Sequence, residues 1–197
     1  CVLIRQCLNN DYVFFADGEE TAKLAAQEVD VDAVFAGDAA EGGAYLTLSL
    51  YRPFHQTPNW EARAPDKVKP KALRALLADE RDRCRSEAAH AEILARVTAV
   101  TDETSLRVAG QYAGDPYPRW LSLQALQPGS AGERLREHFS EDALAIVDGR
   151  CDVLIAGAGT GRQAIESAIG YGDQARVLAV DLSAPSLAYG TRMAEVF

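Results

Sequence analysis

The chain has 197 residues, of which 48% are hydrophobic, and it carries 20 Lys and Arg against 29 Asp and Glu, a formal net charge of −9. It is too apolar for a disordered chain, and no run approaches the roughly 18 consecutive apolar residues that a membrane helix needs. The acidic balance offers no cluster of cations for a phosphate backbone, so we expect a soluble globular protein that binds neither membranes nor duplex nucleic acid.

The cysteines and histidines show no metal-binding pattern. They are widely spaced and form no cluster at metal-ligand spacing: Cys1, Cys7, Cys84, Cys151, His55, His90 and His138. We expect reduced, mostly buried thiols. No charged segment followed by an apolar one opens the chain, which favours a cytoplasmic location over secretion. Because the chain starts inside an apolar run without an initiator Met, we expect a piece of a longer protein.

Residues 1–110 are predicted to form a helical region. The first stretch of the chain is predicted to be helical, with apolar clusters at helical spacing in residues 7–15, and to end at the breaker Asp17-Gly18. A second helix is predicted over residues 19–35 and stops at Gly37. A third helix is predicted over residues 43–51, ending before Pro53.

The second half of this region is a loop followed by further helices. Prolines around Trp60 predict that residues 55–70 form a connector that buries one aromatic side chain. Apolar spacing from Lys71 to Val97 predicts either two helices or one long bent one, with the mixed charges at 79–83 on a solvated face. Asp102 is a candidate N-cap for a short helix that follows.

Residues 111–148 are predicted to be a Pro/aromatic linker and a helix. The two prolines that flank Tyr117 push the residues before them toward extended geometry, so residues 114–120 cannot be helical. We expect Tyr117 and Trp120 to pack at the entrance of the domain that follows. Residues 129–139 are predicted to form an amphipathic helix.

The pattern changes to alternating strand and helix in residues 149–197. Residues 151–156, Cys-Asp-Val-Leu-Ile-Ala, are typical of a buried parallel strand, and Gly157-Ala158-Gly159-Thr160-Gly161 follows at once. Glycines there allow a tight turn and let a ligand approach backbone N–H groups at the start of the next helix. A second strand is predicted at 175–180. It ends in Asp181, whose carboxylate is placed to accept hydrogen bonds from both ribose hydroxyls of an adenosine group.

The glycine spacing bears on which nucleotide the turn binds. A dinucleotide fingerprint, G-x-G-x-x-G, needs glycine at position 162, where this chain has Arg162, whereas its own third glycine is Gly161.

These residues resemble a known family. Residues 153–161, Val-Leu-Ile-Ala-Gly-Ala-Gly-Thr-Gly, resemble motif I of class I S-adenosylmethionine-dependent methyltransferases, and residues 177–183, Val-Leu-Ala-Val-Asp-Leu-Ser, resemble the acidic loop that follows it. Residues 186–189 are similar to the next helix of bacterial methyltransferase-domain proteins that often carry tetratricopeptide repeats upstream. In that group, a segment similar to residues 115–120 precedes the catalytic domain. The resemblance is specific over residues 107–197 and loose before them.

The resemblance implies a role for each matching residue. Gly157, Gly159 and Gly161 would surround the methionine end and the ribose of S-adenosylmethionine, with Ala158 and Thr160 contributing loop backbone. Asp181 would hold the ribose hydroxyls, and Leu182 would pack beside the adenine ring. Many members have an acidic residue two positions before the first glycine, which helps to hold the amino group of the cofactor. Ile155 occupies that position here.

The resemblance also implies an α/β fold in which the helical N-terminal region precedes the incomplete first half of a Rossmann-like sheet. The family has seven strands, and residues 149–197 match the first two. We therefore expect a fragment, inactive alone, of an enzyme that transfers methyl groups to an unidentified small molecule or protein. No catalytic residue can be named. An open sheet edge and an uncovered apolar face predict poor solubility or self-association.

Two other functions remain open at this point. One is a fragment of an NAD(P)-dependent oxidoreductase, which binding of NAD rather than S-adenosylhomocysteine would indicate. The other is a non-enzymatic helical interaction module with a vestigial nucleotide fold, which would bind neither cofactor and would form a stable complex with a partner.

Overall fold

The computed structural model describes residues 2–10, 12, 14–97, 99–111, 116, 118–123, 136, 139–144 and 151–197. In this part the chain is mixed α/β, mostly helical, with a two-stranded parallel sheet. It divides into two compact units, Cys1–Arg85 and Ser86–Phe197.

The first unit is helical. It contains α1 (Val2–Asn9), α2 (Gly18–Ala26), α3 (Val31–Ala36), α4 (Ala39–Leu48) and the first part of α5 (Lys71–Ile93). The core is a cluster of buried side chains from these helices and from the loop between α4 and α5: Ile4, Leu8, Val34, Tyr45, Phe54, Trp60, Val68, Leu73, Leu76 and Leu77. Apolar spacing of three and four residues along α5 builds one side of this core.

The predicted first helix was misplaced. Residues 7–15 do not form one helix, because α1 ends at Asn9 and Tyr12 takes a left-handed conformation with φ +56°. The apolar side chains that face the core are Ile4 and Leu8, one turn apart, whereas Phe15 is 88% exposed. The aromatic run was therefore mistaken for a helical face.

The predicted second helix, over residues 19–35, is two helices. Asp30 separates them, because its carboxylate accepts the N–H of Ala33 at 3.0 Å and starts α3 as an N-cap. The predicted stop at Gly37 is confirmed, and this glycine has φ +103°. The third helix, α4, starts four residues before its predicted position because Asp38 caps it through the N–H groups of Ala40 and Glu41.

The predicted connector is confirmed. Residues 55–70 contain short 3₁₀ turns, and Trp60 is 4% exposed and stacks on Phe54. Of the two alternatives for the next segment, one continuous helix, α5, is correct. The charged stretch is only partly a solvated face, because Glu80 is buried in an ion pair with Arg83.

The second unit holds the sheet. Strands β1 (Cys151–Ala156) and β2 (Ala175–Val180) pair in parallel, with Cys151 opposite Ala175 and Ala156 opposite Val180. Helix α8 (Arg162–Tyr171) connects them, and α9 (Ala184–Ala194) follows β2. The predicted strand, glycine turn, helix and strand are confirmed, and so are their order and approximate bounds.

The rest of the second unit contains α6 (Glu103–Gln111) and α7 (Glu141–Leu144). Asp102 caps α6, as predicted, by accepting the N–H of Ser105 at 2.8 Å. The helix predicted at 129–139 lies mostly outside the described residues.

Two expectations from composition concern thiols and membranes. Cys7, Cys84 and Cys151 are free but only half-buried, and Cys1 is outside the described residues. Each described helix is either too short or too polar to cross a bilayer.

Candidate functional site

A glycine loop, residues 157–161, joins β1 to α8. Gly157, Gly159 and Gly161 have φ values of +70°, +53° and +78°, which glycine adopts without steric cost. The N–H of Ala158 donates to the carbonyl of Val180 at 3.0 Å. The loop therefore turns tightly over the carboxyl ends of both strands.

The Asp181 carboxylate lies against this loop. Its Oδ2 accepts the N–H of Gly159 at 2.7 Å, and its Oδ1 accepts the N–H of Ser183 at 2.8 Å. Each carboxylate oxygen can accept two hydrogen bonds, so each retains capacity for a further donor. The carboxylate is half-buried, and the structure brings it together with the glycines at the carboxyl ends of the two strands.

The outer side of the loop is open among the residues that the structure describes. A Cβ atom built on Gly157 or Gly159 would meet no atom of these residues within 4 Å. Leu182 is 45% exposed beside Asp181 and offers an apolar surface next to the carboxylate. Among the described residues, no side chain within 4 Å of the Gly157 and Gly159 Cβ positions would have to be displaced by a nucleoside that lay against this loop.

The third glycine has a packing role. A Cβ atom on Gly161 would lie 2.9 Å from the Cα of Gly190, and one on Gly190 would lie 3.1 Å from the Cα of Gly161. The loop and α9 therefore approach so closely that neither position accepts a larger residue without movement.

Thr160 faces the protein interior. Thr160 is 3% exposed, and its hydroxyl donates to the carbonyl of Pro118 at 2.7 Å. The Thr160 side chain is therefore engaged within the protein, and what this residue can offer a ligand is backbone.

Residues 118–120, hereafter the strap, pack on the loop. The indole Nε1–H of Trp120 donates to the Thr160 carbonyl at 3.1 Å. The Tyr189 hydroxyl accepts the N–H of Trp120 at 3.0 Å and donates to the Trp120 carbonyl. The structure thus places Trp120 at the glycine loop, whereas Tyr117 lies outside the described residues.

The environment of Tyr189 keeps its hydroxyl protonated. Burial raises the pKa of Tyr189 above the ordinary value of a phenol, and the side chain is almost fully buried. Arg192 lies over its ring at 5.0 Å and pairs with Glu87 at 2.9 Å. A protonated hydroxyl can donate and accept at once, which both bonds to Trp120 require.

Sequence reasoning missed Tyr189 and Gly190 as parts of this site. A glycine in the interior of a predicted helix was the available signal, since such a residue usually marks a close approach. Its partner across the contact could not be identified without the fold.

The helical unit contains a half-open cavity of about 240 Å³. Its walls include Gln27, Val29, Tyr45, Arg52 and Thr57. The Tyr45 and Thr57 hydroxyls bond to each other at 2.6 Å, so these two groups are already partnered. None of the predicted site residues lies there.

Within the described ranges, no group of three His, Cys, Asp or Glu side chains is arranged to hold a metal ion. Comparison of the chain with protein-family models, with curated proteins and with solved structures found no match. The contacts that bear on function are those of residues 118–120, 157–161 and 181–190.

Proposed function

We propose that residues 151–197 bind S-adenosylmethionine and serve as the donor-binding part of a methyltransferase with an acceptor of unknown identity. The observation that carries this proposal is the Asp181 carboxylate, held against the Gly159 N–H in a loop where no atom of the described residues lies within 4 Å of a Cβ built on Gly157 or Gly159. Ligands of open α/β sheets bind outside the carboxyl ends of the strands, which is where these groups meet.

Under this proposal, the β1–α8–β2–α9 segment is the start of a Rossmann-like sheet. The two ribose hydroxyls donate to the unused acceptor sites of Asp181, and the adenine ring lies on Leu182. Gly157, Ala158, Gly159, Thr160 and Gly161 contact the methionine end and the ribose through backbone alone. Ile155 offers no charge to the amino group of the cofactor, so that group needs another partner.

The bound cofactor supplies an electrophilic methyl group on a sulfonium centre. Methyl transfer is an in-line displacement in which the alignment of nucleophile and methyl carbon supplies much of the rate. The contribution of these residues is to hold the donor in one orientation. No described residue is assigned as a catalytic base.

The geometry favours this donor over a dinucleotide. The dinucleotide fingerprint needs a third glycine so that the helix packs closely on the strand, and Arg162 occupies that position, where it begins α8 and pairs with Glu166 at 3.0 Å. The glycine spacing of this loop therefore departs from the dinucleotide pattern at its third position. An NAD(P)-dependent oxidoreductase is therefore the less favoured function.

The acidic composition argues against duplex nucleic acid as the acceptor, which leaves a small molecule or a protein. Cys7, Cys84 and Cys151 are free thiols, which supports a cytoplasmic location for this activity.

Titration calorimetry of the 197-residue chain with S-adenosylhomocysteine, and separately with NAD, tests the proposal. We expect binding of the first and not of the second. In Asp181→Asn, an amide NH₂ replaces one oxygen and must face either the Gly159 or the Ser183 N–H, so we expect affinity to fall at least about tenfold.

Asp152→Asn is the matched control. Asp152 is an exposed carboxylate in β1 that pairs with Arg176 across the sheet at 3.0 Å, so its substitution should leave the affinity unchanged. Binding of NAD alone would favour the oxidoreductase. Binding of neither ligand would contradict the proposal and favour the interaction module.

A further inference from the structure

The glycine loop has little stiffness of its own. Three of its five residues are glycines in left-handed conformations, and glycine loses more conformational freedom on ordering than any other residue. A ligand that bound to a disordered loop would have to offset this entropy, so bonds that order the loop in advance raise affinity.

Thr160 is the point at which the rest of the chain holds the loop. It lies between Gly159 and Gly161, and both its hydroxyl and its carbonyl bond to the strap, through Pro118 and Trp120. The bond to the carbonyl fixes the peptide plane between Thr160 and Gly161, and the bond from the hydroxyl fixes the Thr160 side chain.

The strap is itself held by α9. One hydroxyl, that of Tyr189, bonds to both backbone polar atoms of Trp120, and the two rings meet edge to face at 6.2 Å. Gly190, the next residue of α9, contacts Gly161. Loop, strap and helix therefore form a closed set of contacts around Thr160.

We infer that Trp120 is a positioning residue for the cofactor: its indole N–H fixes the peptide between Thr160 and Gly161 and so restricts the glycine loop, which carries the Gly159 N–H bound by Asp181. This inference rests on the proposed function, because it assigns to the strap the task of preorganising the S-adenosylmethionine loop. Trp120 acts through Thr160 and is not assigned a ligand contact.

The test substitutes Trp120→Phe, which keeps an aromatic ring and removes the N–H donor. Calorimetry on the folded chain should show S-adenosylhomocysteine affinity lowered about tenfold, since one hydrogen bond and the order it imposes are lost. Hydrogen–deuterium exchange should become faster at the amides of residues 159–161.

Trp60→Phe is the matched control, since Trp60 is the only other tryptophan of the chain and lies in the core of the helical unit. It should lower the melting temperature and leave the affinity unchanged, whereas Trp120→Phe should lower the affinity with the smaller change in melting temperature. If the role of Trp120 is purely structural, both variants will have a lower melting temperature and an unchanged affinity. That result would overturn the inference.

If Trp120→Phe does not fold, Tyr189→Phe provides the same test, because it keeps the ring and removes the hydroxyl that holds the strap. Wild-type affinity and wild-type exchange at residues 159–161 in the variant would overturn the inference. If the wild-type chain does not bind S-adenosylhomocysteine, the proposed function fails. In that case, hydrogen–deuterium exchange at residues 159–161 decides separately whether Trp120 orders the loop: faster exchange in Trp120→Phe than in the wild-type chain would show that it does.

Discussion

Gly42 and Gly43 are neighbours in α4 with different surroundings. A Cβ atom on Gly42 would lie 1.8 Å from the carbonyl oxygen of Lys69, while one on Gly43 would meet nothing within 4 Å. We expect Gly42→Ala to destabilise the helical unit by about 3 kcal/mol, because backbone must move. Gly43→Ala should stabilise it by roughly 0.5–1 kcal/mol through helix propensity. Urea unfolding followed by helical circular dichroism measures both, and equal effects of the two substitutions would contradict the packing at Gly42.

Two buried tyrosines predict how stability depends on alkaline pH. Burial raises the pKa of Tyr45 and of Tyr189, so each holds its proton to higher pH in the native state than in the unfolded one. The protonated phenols therefore make their full contribution to the free energy of unfolding below about pH 10, the ordinary pKa of a phenol. This contribution is lost as the pH rises through the pKa values that the two phenols have in the native state.

Near-ultraviolet titration of tyrosinate checks this dependence. The late-ionising fraction of the seven tyrosines should shrink in Tyr45→Phe and in Tyr189→Phe. If both variants retain the full late fraction, neither phenol is buried as described.

At the scale of single residues, the sequence allowed prediction of those whose contacts follow from elements nearby in the chain. Gly157, Gly159 and Asp181 could be located because a strand, a turn and a second strand in order imply a common edge. Trp120 and Tyr189 lie 69 positions apart, and no local pattern pairs them.

Helices and strands with regularly spaced apolar residues and clear end signals were predicted well. Helices whose N-cap residue lies inside a longer apolar pattern were not. Strands β1 and β2 and helix α8 lie where expected, because Gly157 follows β1, Gly172 follows α8 and Asp181 follows β2. Residues 19–35 divide into two helices because Asp30 favours the N-cap position over a helix interior. The spacing of apolar residues alone does not reveal this preference. Glu80 is buried through its Arg83 partner, so a charged stretch at helical spacing does not by itself indicate solvent.

The contact between α9 and the glycine loop predicts a second pair of effects. Gly190→Ala places a Cβ atom 3.1 Å from the Thr160 carbonyl oxygen, so α9 and the loop must separate. We expect weaker S-adenosylhomocysteine binding, by about tenfold, together with lower stability. Calorimetry on the folded variant measures the first effect.

Gly110→Ala, in α6, is the control, because a Cβ atom there meets nothing within 4 Å. It should leave affinity unchanged. Equal affinities for Gly190→Ala and the wild-type chain would show that the close approach does not matter to the site.

For the molecule as a whole, the described sheet leaves one face uncovered. Leu154 and Leu178 are register partners on β1 and β2 and are 63% and 60% exposed. Together with the open strand edges, this surface supports the expectation of self-association that the sequence raised.

We therefore expect light scattering to show association that increases with concentration. The double substitution Leu154→Lys and Leu178→Lys should reduce it, because lysines oppose apolar contact. Ile93→Lys with Val97→Lys adds the same charge at positions that are 77% and 81% exposed, and should reduce association less. A wild-type chain that stays monomeric at high concentration would contradict the expectation.

The most direct test of the donor site is an amide nuclear magnetic resonance titration of the chain with S-adenosylhomocysteine. The proposal predicts that the largest shifts fall on residues 157–161 and on Asp181 and Leu182, with residues of the helical unit unchanged. Absence of shifts at saturating ligand, or shifts confined to the helical unit, would contradict it.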